Sequence, residues 1–209
     1  MPVSKEKFEV IKNKWGQYAS WAIWENTQPG DRVKARIGDL DIFKPTDELL
    51  NTLRTDIVLV ALNAADRDIP EVAFSPFHDS SSHAIDYKMR YAFKDTSLWG
   101  SYITDIFHNL RETASSKVNK FLAINPAYTA SQIERFTEEL EDIAGSNNKP
   151  ILIALGRKVK ELLDMYVADK YVVYELPHYS FSGLNKEKYR EKTLKLLKEI
   201  HQNNPNIDT

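Results

Sequence analysis

The stretch Thr55–Asp66, TDIVLVALNAAD, decides the fold of this chain. Its first half, Ile57–Leu62, is an unbroken apolar run rich in branched residues, which is typical of a strand inside a parallel sheet covered on both faces. The run stops at Asn63. Because open α/β sheets bind ligands at the carboxyl ends of their strands, we expect Asn63 to belong to a functional site. The alternative is that Asn63 is an ordinary turn residue.

Three other segments have the same design of an apolar run that ends in polar or turn residues. Leu98–Phe107 carries Asp105 near its end, Pro150–Leu155 turns at Gly156, and Tyr171–Leu176 leads into Pro177-His178-Tyr179-Ser180. Helical patterns separate these runs. One of them, Ser131–Ile143, begins with a capping box formed by Ser131 and Glu134. Strands that alternate with helices predict an α/β protein, a three-layer α/β/α sandwich with a central, mainly parallel four-stranded sheet.

Composition limits the classes of protein that this chain can belong to. With 209 residues, 42% of them hydrophobic, residues 1–209 are expected to form a single domain, with an N-terminal Trp-rich helical extension over about 1–50. The absence of cysteine excludes disulfides, thiolate zinc sites and cysteine-held iron–sulfur clusters. No apolar leader or long apolar span occurs, so we expect a soluble, cytoplasmic protein without a membrane partner.

The N-terminal segment predicts a helix from Ser4 to about Trp24 with an apolar face. Its aromatic cluster contains Trp15, Trp21 and Trp24. These rings would form either a base-stacking platform or part of the core. Ile37–Phe43, further along the chain, is expected to be a short edge strand or an extended connection.

The segment 64–82 is a long loop, and long loops in compact domains are often functional. Its Phe74 or Phe77 would either stack over a ligand or only anchor the loop to the core. Four residues in and after this loop invite a metal hypothesis: His78, Asp79, His83 and Asp86. Their spacing matches no motif with a defined ligand geometry, so we predict no metal and no other cofactor.

The formal net charge of −2 says little about partners, because a nearly neutral total can hide a polarised surface. The segment Lys186–Lys198 has a local excess of basic residues. This segment would either contact phosphates or form a solvated helix face.

The order of these elements resembles the uracil-DNA glycosylase superfamily, in particular a divergent bacterial and phage group. The resemblance spans Asp56 to Ile200 in order and spacing and rests on four short motifs. These motifs are Val58–Ala65, Tyr102–Asp105, Ile151–Gly156 and Leu176–Ser180. In the superfamily, the first motif is a strand that ends in Gly-x-Asn-Pro or Gly-Gln-Asp-Pro, and the last is His-Pro-Ser or a close variant.

The resemblance implies a role for each matching residue. Asn63 would position the attacking water, and His178 would hydrogen-bond the departing base. Asp105 falls near an Asn that reads the pyrimidine edge, and Phe74 or Phe77 would stack on the flipped base. The residues that would contact DNA follow His178 in the chain, and one of them, Leu184, would fill the gap in the duplex: Ser180, Ser182 and Leu184.

Two departures from the superfamily pattern bear on the chemistry. Ala64-Ala65 replaces Pro-Gly after Asn63, and Asp105 replaces an Asn. An ionised carboxylate only accepts hydrogen bonds, so we expect weak or absent activity on plain uracil and a preference for another damaged or modified base.

Three alternative functions remain open at this point. The first is a catalytically inactive protein on the same fold that binds nucleic acid or nucleotides. The second is a protein-interaction module that uses the tryptophan cluster as its surface. The third is a nucleoside hydrolase, although the acidic cluster expected for its metal is lacking. The sequence determines neither the oligomeric state nor whether the DNA would be single- or double-stranded.

Overall fold

A computed structural model describes residues 2–63, 71–81, 83–110, 112, 115–145 and 148–205, with the backbone alone for residues 115, 116 and 119. In this part of the chain the helices are α1 Lys5–Trp15, α2 Asp47–Thr52, α3 Tyr87–Phe93, α4 Ser115–Ile124, α5 Pro126–Ala144, α6 Arg157–Tyr166 and α7 Lys186–Asn203. The strands are β1 Ser20–Trp21, β2 Arg54–Asn63, β3 Ser101–Phe107, β4 Ile151–Leu155 and β5 Val173–Leu176. The expected α/β class is confirmed.

The strands form one sheet in the order β1-β3-β2-β4-β5. Strands β3, β2, β4 and β5 run parallel to one another, whereas β1 pairs with β3 in the antiparallel direction, with Ser20 opposite Ile103. The prediction of four strands was therefore wrong by one. The fifth strand has two residues, too few to produce an alternating pattern in the sequence.

Helices cover both faces of the sheet, because β2 directs alternate apolar side chains into two separate cores. Val58 and Val60 belong to a core that also contains residues of α1, α5 and α6. Ile57 and Leu59 belong to a core that contains residues of α3 and α7. This double burial explains why the decisive stretch is apolar without interruption.

The first helix begins as predicted but ends earlier. The Ser4 side chain accepts a hydrogen bond from the backbone N–H of Lys7, which caps α1. The helix stops at Trp15, and the N–H of Phe74 donates to the Gly16 carbonyl at 2.6 Å. A Cβ atom at Gly16 would lie 2.9 Å from the Ala73 Cβ, so this contact depends on glycine. The predicted helix to Trp24 is wrong because the chain bends here to enter the sheet.

The tryptophan cluster is part of the core. Trp15 is 2% exposed, and Trp21 and Trp24 are fully buried. Trp21 lies in β1 and packs edge-on against Tyr102 with ring centroids 5.0 Å apart. The base-stacking platform is therefore excluded for these rings, and so is a partner surface made by them.

Other element boundaries differ modestly from the predictions. The segment Ile37–Phe43 contains a 3-10 helix, Leu40–Phe43, rather than a strand, and the Asp39 side chain caps it by accepting from the N–H of Asp41. Helix α5 begins at Pro126, one turn or more before the predicted Ser131. Within the described residues, no helix combines the length and apolar character needed to cross a membrane.

We expect Gly100→Ala to destabilise the protein more than Gly30→Ala. Both glycines have positive φ, +80° and +88°, where an L residue costs about 1–2 kcal/mol. A Cβ at Gly100 would also lie 2.3 Å from the Thr52 carbonyl oxygen, whereas nothing lies within 4 Å at Gly30. Gly100→Ala should therefore lower the free energy of unfolding by about 1–3 kcal/mol more than Gly30→Ala does, and urea unfolding measures this difference. Equal losses would contradict this account of Gly100.

Candidate functional site at the carboxyl edge of the sheet

The parallel register brings the predicted site residues to one edge of the sheet. Asp105 lies opposite Ala61, and Leu155 lies opposite Leu176. Asn63 is two residues beyond Ala61 on β2 and lies opposite Phe107. His178 is two residues beyond Leu176, just after β5 ends. Strand β4 lies between β2 and β5, so Asn63 and His178 emerge about 10 Å apart, two strand spacings.

The edge next to Asn63 is also the place where the chain changes direction across the sheet. From β2 the chain continues to β3 on one side, and later to β4 and β5 on the other side of β2. Ligands of open α/β sheets bind in the crevice at such a switch point.

The side-chain amide of Asn63 is fixed by the segment that follows β3. Its Nδ2 donates to the carbonyl oxygens of Leu110 at 2.9 Å and Glu112 at 2.7 Å. Both amide protons are therefore used, which sets the orientation of the Asn63 carbonyl oxygen. Ala64 and Ala65, the departure from the superfamily motif, lie outside the described residues.

His178 is arranged as a neutral hydrogen-bond donor. Its Nδ1 accepts from the backbone N–H of Ser180 at 3.2 Å and lies 2.7 Å from the Ser180 hydroxyl oxygen. A ring nitrogen that accepts carries no proton, so the proton of the neutral ring is on Nε2. Burial lowers the pKa of His178 to about 4, which keeps the ring neutral at physiological pH.

The loop after His178 is anchored by a buried lysine of α3. Lys88 Nζ donates to the carbonyl oxygens of Leu184 at 2.7 Å and Phe181 at 3.2 Å. The Leu184 side chain is 8% exposed and packs in the core, so it is not placed to enter a duplex. Phe181 is 59% exposed instead, and Ser180 and Ser182 beside it are exposed.

We expect Lys88→Met to loosen this loop. Methionine keeps an unbranched apolar side chain but cannot donate to the Phe181 and Leu184 carbonyls. Loss of about 1.4 kcal/mol of local stability would accelerate amide exchange about tenfold at the amides of Phe181 and Leu184. Lys149→Met, at an exposed position away from this loop, is the control. Unchanged exchange in Lys88→Met would show that the two hydrogen bonds do not hold the loop.

Asp105 is a buried carboxyl at this edge. It is 6% exposed, and within the described residues no hydrogen bond reaches its side chain. Burial raises the pKa of Asp105 to about 7, with His108 opposing and the Glu139 charge adding to the rise. Near neutral pH a large fraction of the carboxyl is therefore protonated, and it then both donates and accepts.

A buried polar cluster on the α5 side of β3 supports this edge. Glu139 is fully buried and accepts a hydrogen bond from the Tyr102 hydroxyl at 2.8 Å. His108 Nε2 lies 3.0 Å from Glu139 Oε2 and 3.1 Å from the Thr104 hydroxyl. The His108 ring stacks on Tyr18, with centroids 4.8 Å apart. Sequence reasoning missed Glu139, although it lies three residues after Phe136 on the buried face of α5.

The two loop phenylalanines differ in position. Phe74 is 1% exposed and packs against Phe8 and Phe43 at 5.3 and 5.2 Å, so it anchors the loop to the core and does not face a ligand. Phe77 is only partly buried. Both have positive φ, +65° and +66°, which is uncommon for a bulky side chain and marks a strained loop.

The described residues of this edge hold no metal-binding cluster. Among the described residues, no group of three or more His, Asp or Glu side chains could hold a metal ion. His78, one member of the metal hypothesis, is buried against Trp24 and Phe43. Two open clefts of about 550 and 440 Å³ lie elsewhere, one at the amino edge beside Arg54 and one between α1 and α5 beside Trp15.

No protein-family model, no curated protein and no solved structure matches this chain.

Proposed function

We propose that this chain is a DNA glycosylase-like enzyme that hydrolyses the N-glycosidic bond of a flipped base. One observation carries the proposal: His178, whose Nδ1 accepts from the Ser180 N–H, follows β5 at the same sheet edge as Asn63 and Asp105. The sequence resemblance to the uracil-DNA glycosylase superfamily supplies the reaction class.

The chemistry of the reaction matches these groups. Water adds to sugar C1′, the bond from C1′ to the base nitrogen breaks, and its electron pair stays on the base. The proton that the water loses passes to solvent or to the base. Negative charge grows on the base, and the Nε2–H of His178 stabilises it. The Asn63 carbonyl oxygen, oriented by the hydrogen bonds to Leu110 and Glu112, holds the water.

Asp105 makes base selection depend on pH. Above pH 7 the ionised carboxylate accepts only and favours a base that presents an amino group. Below pH 7 the protonated carboxyl resembles an amide and accommodates a carbonyl and an N–H together. We therefore expect activity on plain uracil to be weak above pH 7 and to increase below it.

The surface around His178 suits a DNA strand. Extrusion of a base costs a few kcal/mol, which a side chain filling the gap offsets. The exposed Phe181 replaces Leu184 as the residue that we assign to this gap. We assign phosphate contacts to the exposed Ser180 and Ser182 beside it. Phe77, the less buried of the two loop rings, is the one that we assign to base stacking.

The test is a strand-cleavage assay for abasic sites, on single- and double-stranded oligonucleotides that carry normal, deaminated and modified bases. Abasic product from the wild type, lost in both Asn63→Ala and His178→Ala, is the expected result. Folded wild-type protein that yields no product on any substrate between pH 5.5 and pH 8 would refute the enzymatic function.

A second candidate function is a nucleic-acid-binding protein without catalysis. The observation that favours it is the Asn63 amide, whose nitrogen is committed to the carbonyl oxygens of Leu110 and Glu112. In that case Asn63→Ala would lower stability without changing the affinity for DNA.

A further inference from the structure

Helix α7 carries four exposed lysines, and three of them, all but Lys198, lie in a row. Lys188, Lys192 and Lys195 are four and then three residues apart, so they form a stripe along one side of the helix. All three are exposed. We call this set the α7 lysine stripe.

Two other basic residues of α7 have structural contacts that explain them. Lys186 Nζ lies 4.7 Å from the centre of the Tyr91 ring and 3.7 Å from Glu187. Arg190 donates to three carbonyl oxygens around the end of α3, among them Tyr91 at 2.8 Å and Lys94 at 2.9 Å. These two side chains therefore dock α7 onto α3.

The α7 lysine stripe has no such structural contact. Within the described part of the chain, none of its three side chains forms an ion pair or a hydrogen bond. Glu191 lies between them on the helix and still pairs with none of them. The three lysines thus form no ion pair in the described part of the chain, although Glu191 and Glu199 each lie one helical turn from Lys195, and the formal net charge of the whole chain is −2.

The stripe is close in sequence to the candidate site. Asn185 caps α7, and the preceding loop carries His178 and the exposed Phe181. At 1.5 Å per residue, Lys188 to Lys195 spans about 10 Å. This length corresponds to about three phosphates of one DNA strand at 3.4 Å each along the axis.

We propose that the α7 lysine stripe binds the phosphate backbone of the DNA strand that leaves the His178 loop. This inference rests on the proposed function for its choice of DNA. Recognition is through phosphate charge alone, so it is independent of base sequence. Each neutralised phosphate releases counterions, which makes the affinity depend on salt.

The experiment measures the affinity of the full chain for fluorescently labelled oligonucleotides of ordinary bases, single- and double-stranded, from about 50 to 200 mM salt. The test variant combines Lys188→Gln, Lys192→Gln and Lys195→Gln. The matched control removes the same charge at exposed positions outside α7 and α3, with Lys5→Gln, Lys149→Gln and Lys170→Gln.

The expected result is that the stripe variant lowers the slope of log affinity against log salt by about 2 for single strands and about 2.7 for duplexes. The control should leave this slope unchanged. An unchanged slope in the stripe variant, an equal effect of the control, no DNA binding by the wild type, or binding to anionic phospholipid vesicles instead would each overturn the proposal.

This measurement needs no base excision, so it separates the two proposals. A wild type that binds DNA through the stripe but releases no base would refute the proposed enzyme and support the stripe. Base excision by the wild type, together with an unchanged salt slope of DNA affinity in the stripe variant, would support the proposed enzyme and refute the stripe.

Discussion

His178→Ala is expected to lower the rate of base release about 10²–10³-fold, the usual effect of removing one aimed donor from developing negative charge. The Km should change little, because the interaction strengthens only as the bond breaks. Single-turnover kinetics on the best substrate from the abasic-site assay measures the effect. Circular dichroism checks that the variant folds.

Ser180→Ala is the matched control for His178. It removes the hydroxyl beside Nδ1 but keeps the backbone N–H that fixes the tautomer at 3.2 Å. Its rate should therefore fall less than tenfold. A loss as large as that of His178→Ala would mean that the hydroxyl, rather than the imidazole, does the chemistry.

The pH profile provides a second check on His178. Its pKa of about 4 keeps the ring neutral from pH 5.5 to pH 8, so His178 should contribute no inflection in this range. An inflection near 6.5 that disappears in His178→Ala would show that the ring titrates as in water and would contradict its role as a neutral donor.

The sequence predicted the parts of the fold that depend on long apolar patterns. The run Ile57–Leu62 became the centre of the sheet, and the strand ends at Asn63 and His178 reached one edge because parallel strands share a direction. Periodicity works here because each pattern repeats over several residues and is decided by burial on both sheet faces.

What the sequence did not predict depends on single tertiary contacts. Trp21 belongs to a strand of only two residues, β1, and a strand this short leaves no periodic pattern in the sequence. Leu184 was expected to reach DNA, but it is buried in a loop that Lys88, from a distant helix, holds by its Phe181 and Leu184 carbonyls. Nothing in the local sequence around Lys88 marks it as buried. His108 was also missed, although it follows the end of β3 and fits the rule that drew attention to Asn63.

Asp105→Asn is expected to stabilise the protein increasingly as pH rises from 4 to 7. In the unfolded chain Asp105 loses its proton near pH 3.9, whereas the folded chain holds it until about pH 7. Below pH 3.9 both states are protonated and Asp105 contributes nothing to pH dependence. Between these values only the unfolded state ionises, so the wild type loses stability with rising pH, and above pH 7 the loss is complete.

Asparagine has no such proton, so the difference in unfolding free energy between Asp105→Asn and the wild type isolates Asp105. It should grow by up to about 4 kcal/mol across this window. His78 and His178, whose pKa values are lowered to about 4 by burial, act in the opposite direction, with stability rising from pH 4 to 6.5. Both are present in the two proteins, so their effects cancel in the difference.

Urea unfolding of both proteins at intervals from pH 4 to pH 8 measures this difference, and Asp56→Asn is a control of opposite sign. Burial raises the pKa of Asp56, but the ion pair with Arg54 at 2.6 Å outweighs it and leaves the pKa lowered. The wild type should therefore gain stability over Asp56→Asn as pH rises through the acid range. If the difference in unfolding free energy between Asp105→Asn and the wild type does not change with pH, the Asp105 carboxyl ionises normally. The proposed pH-dependent base selection would then be refuted as well.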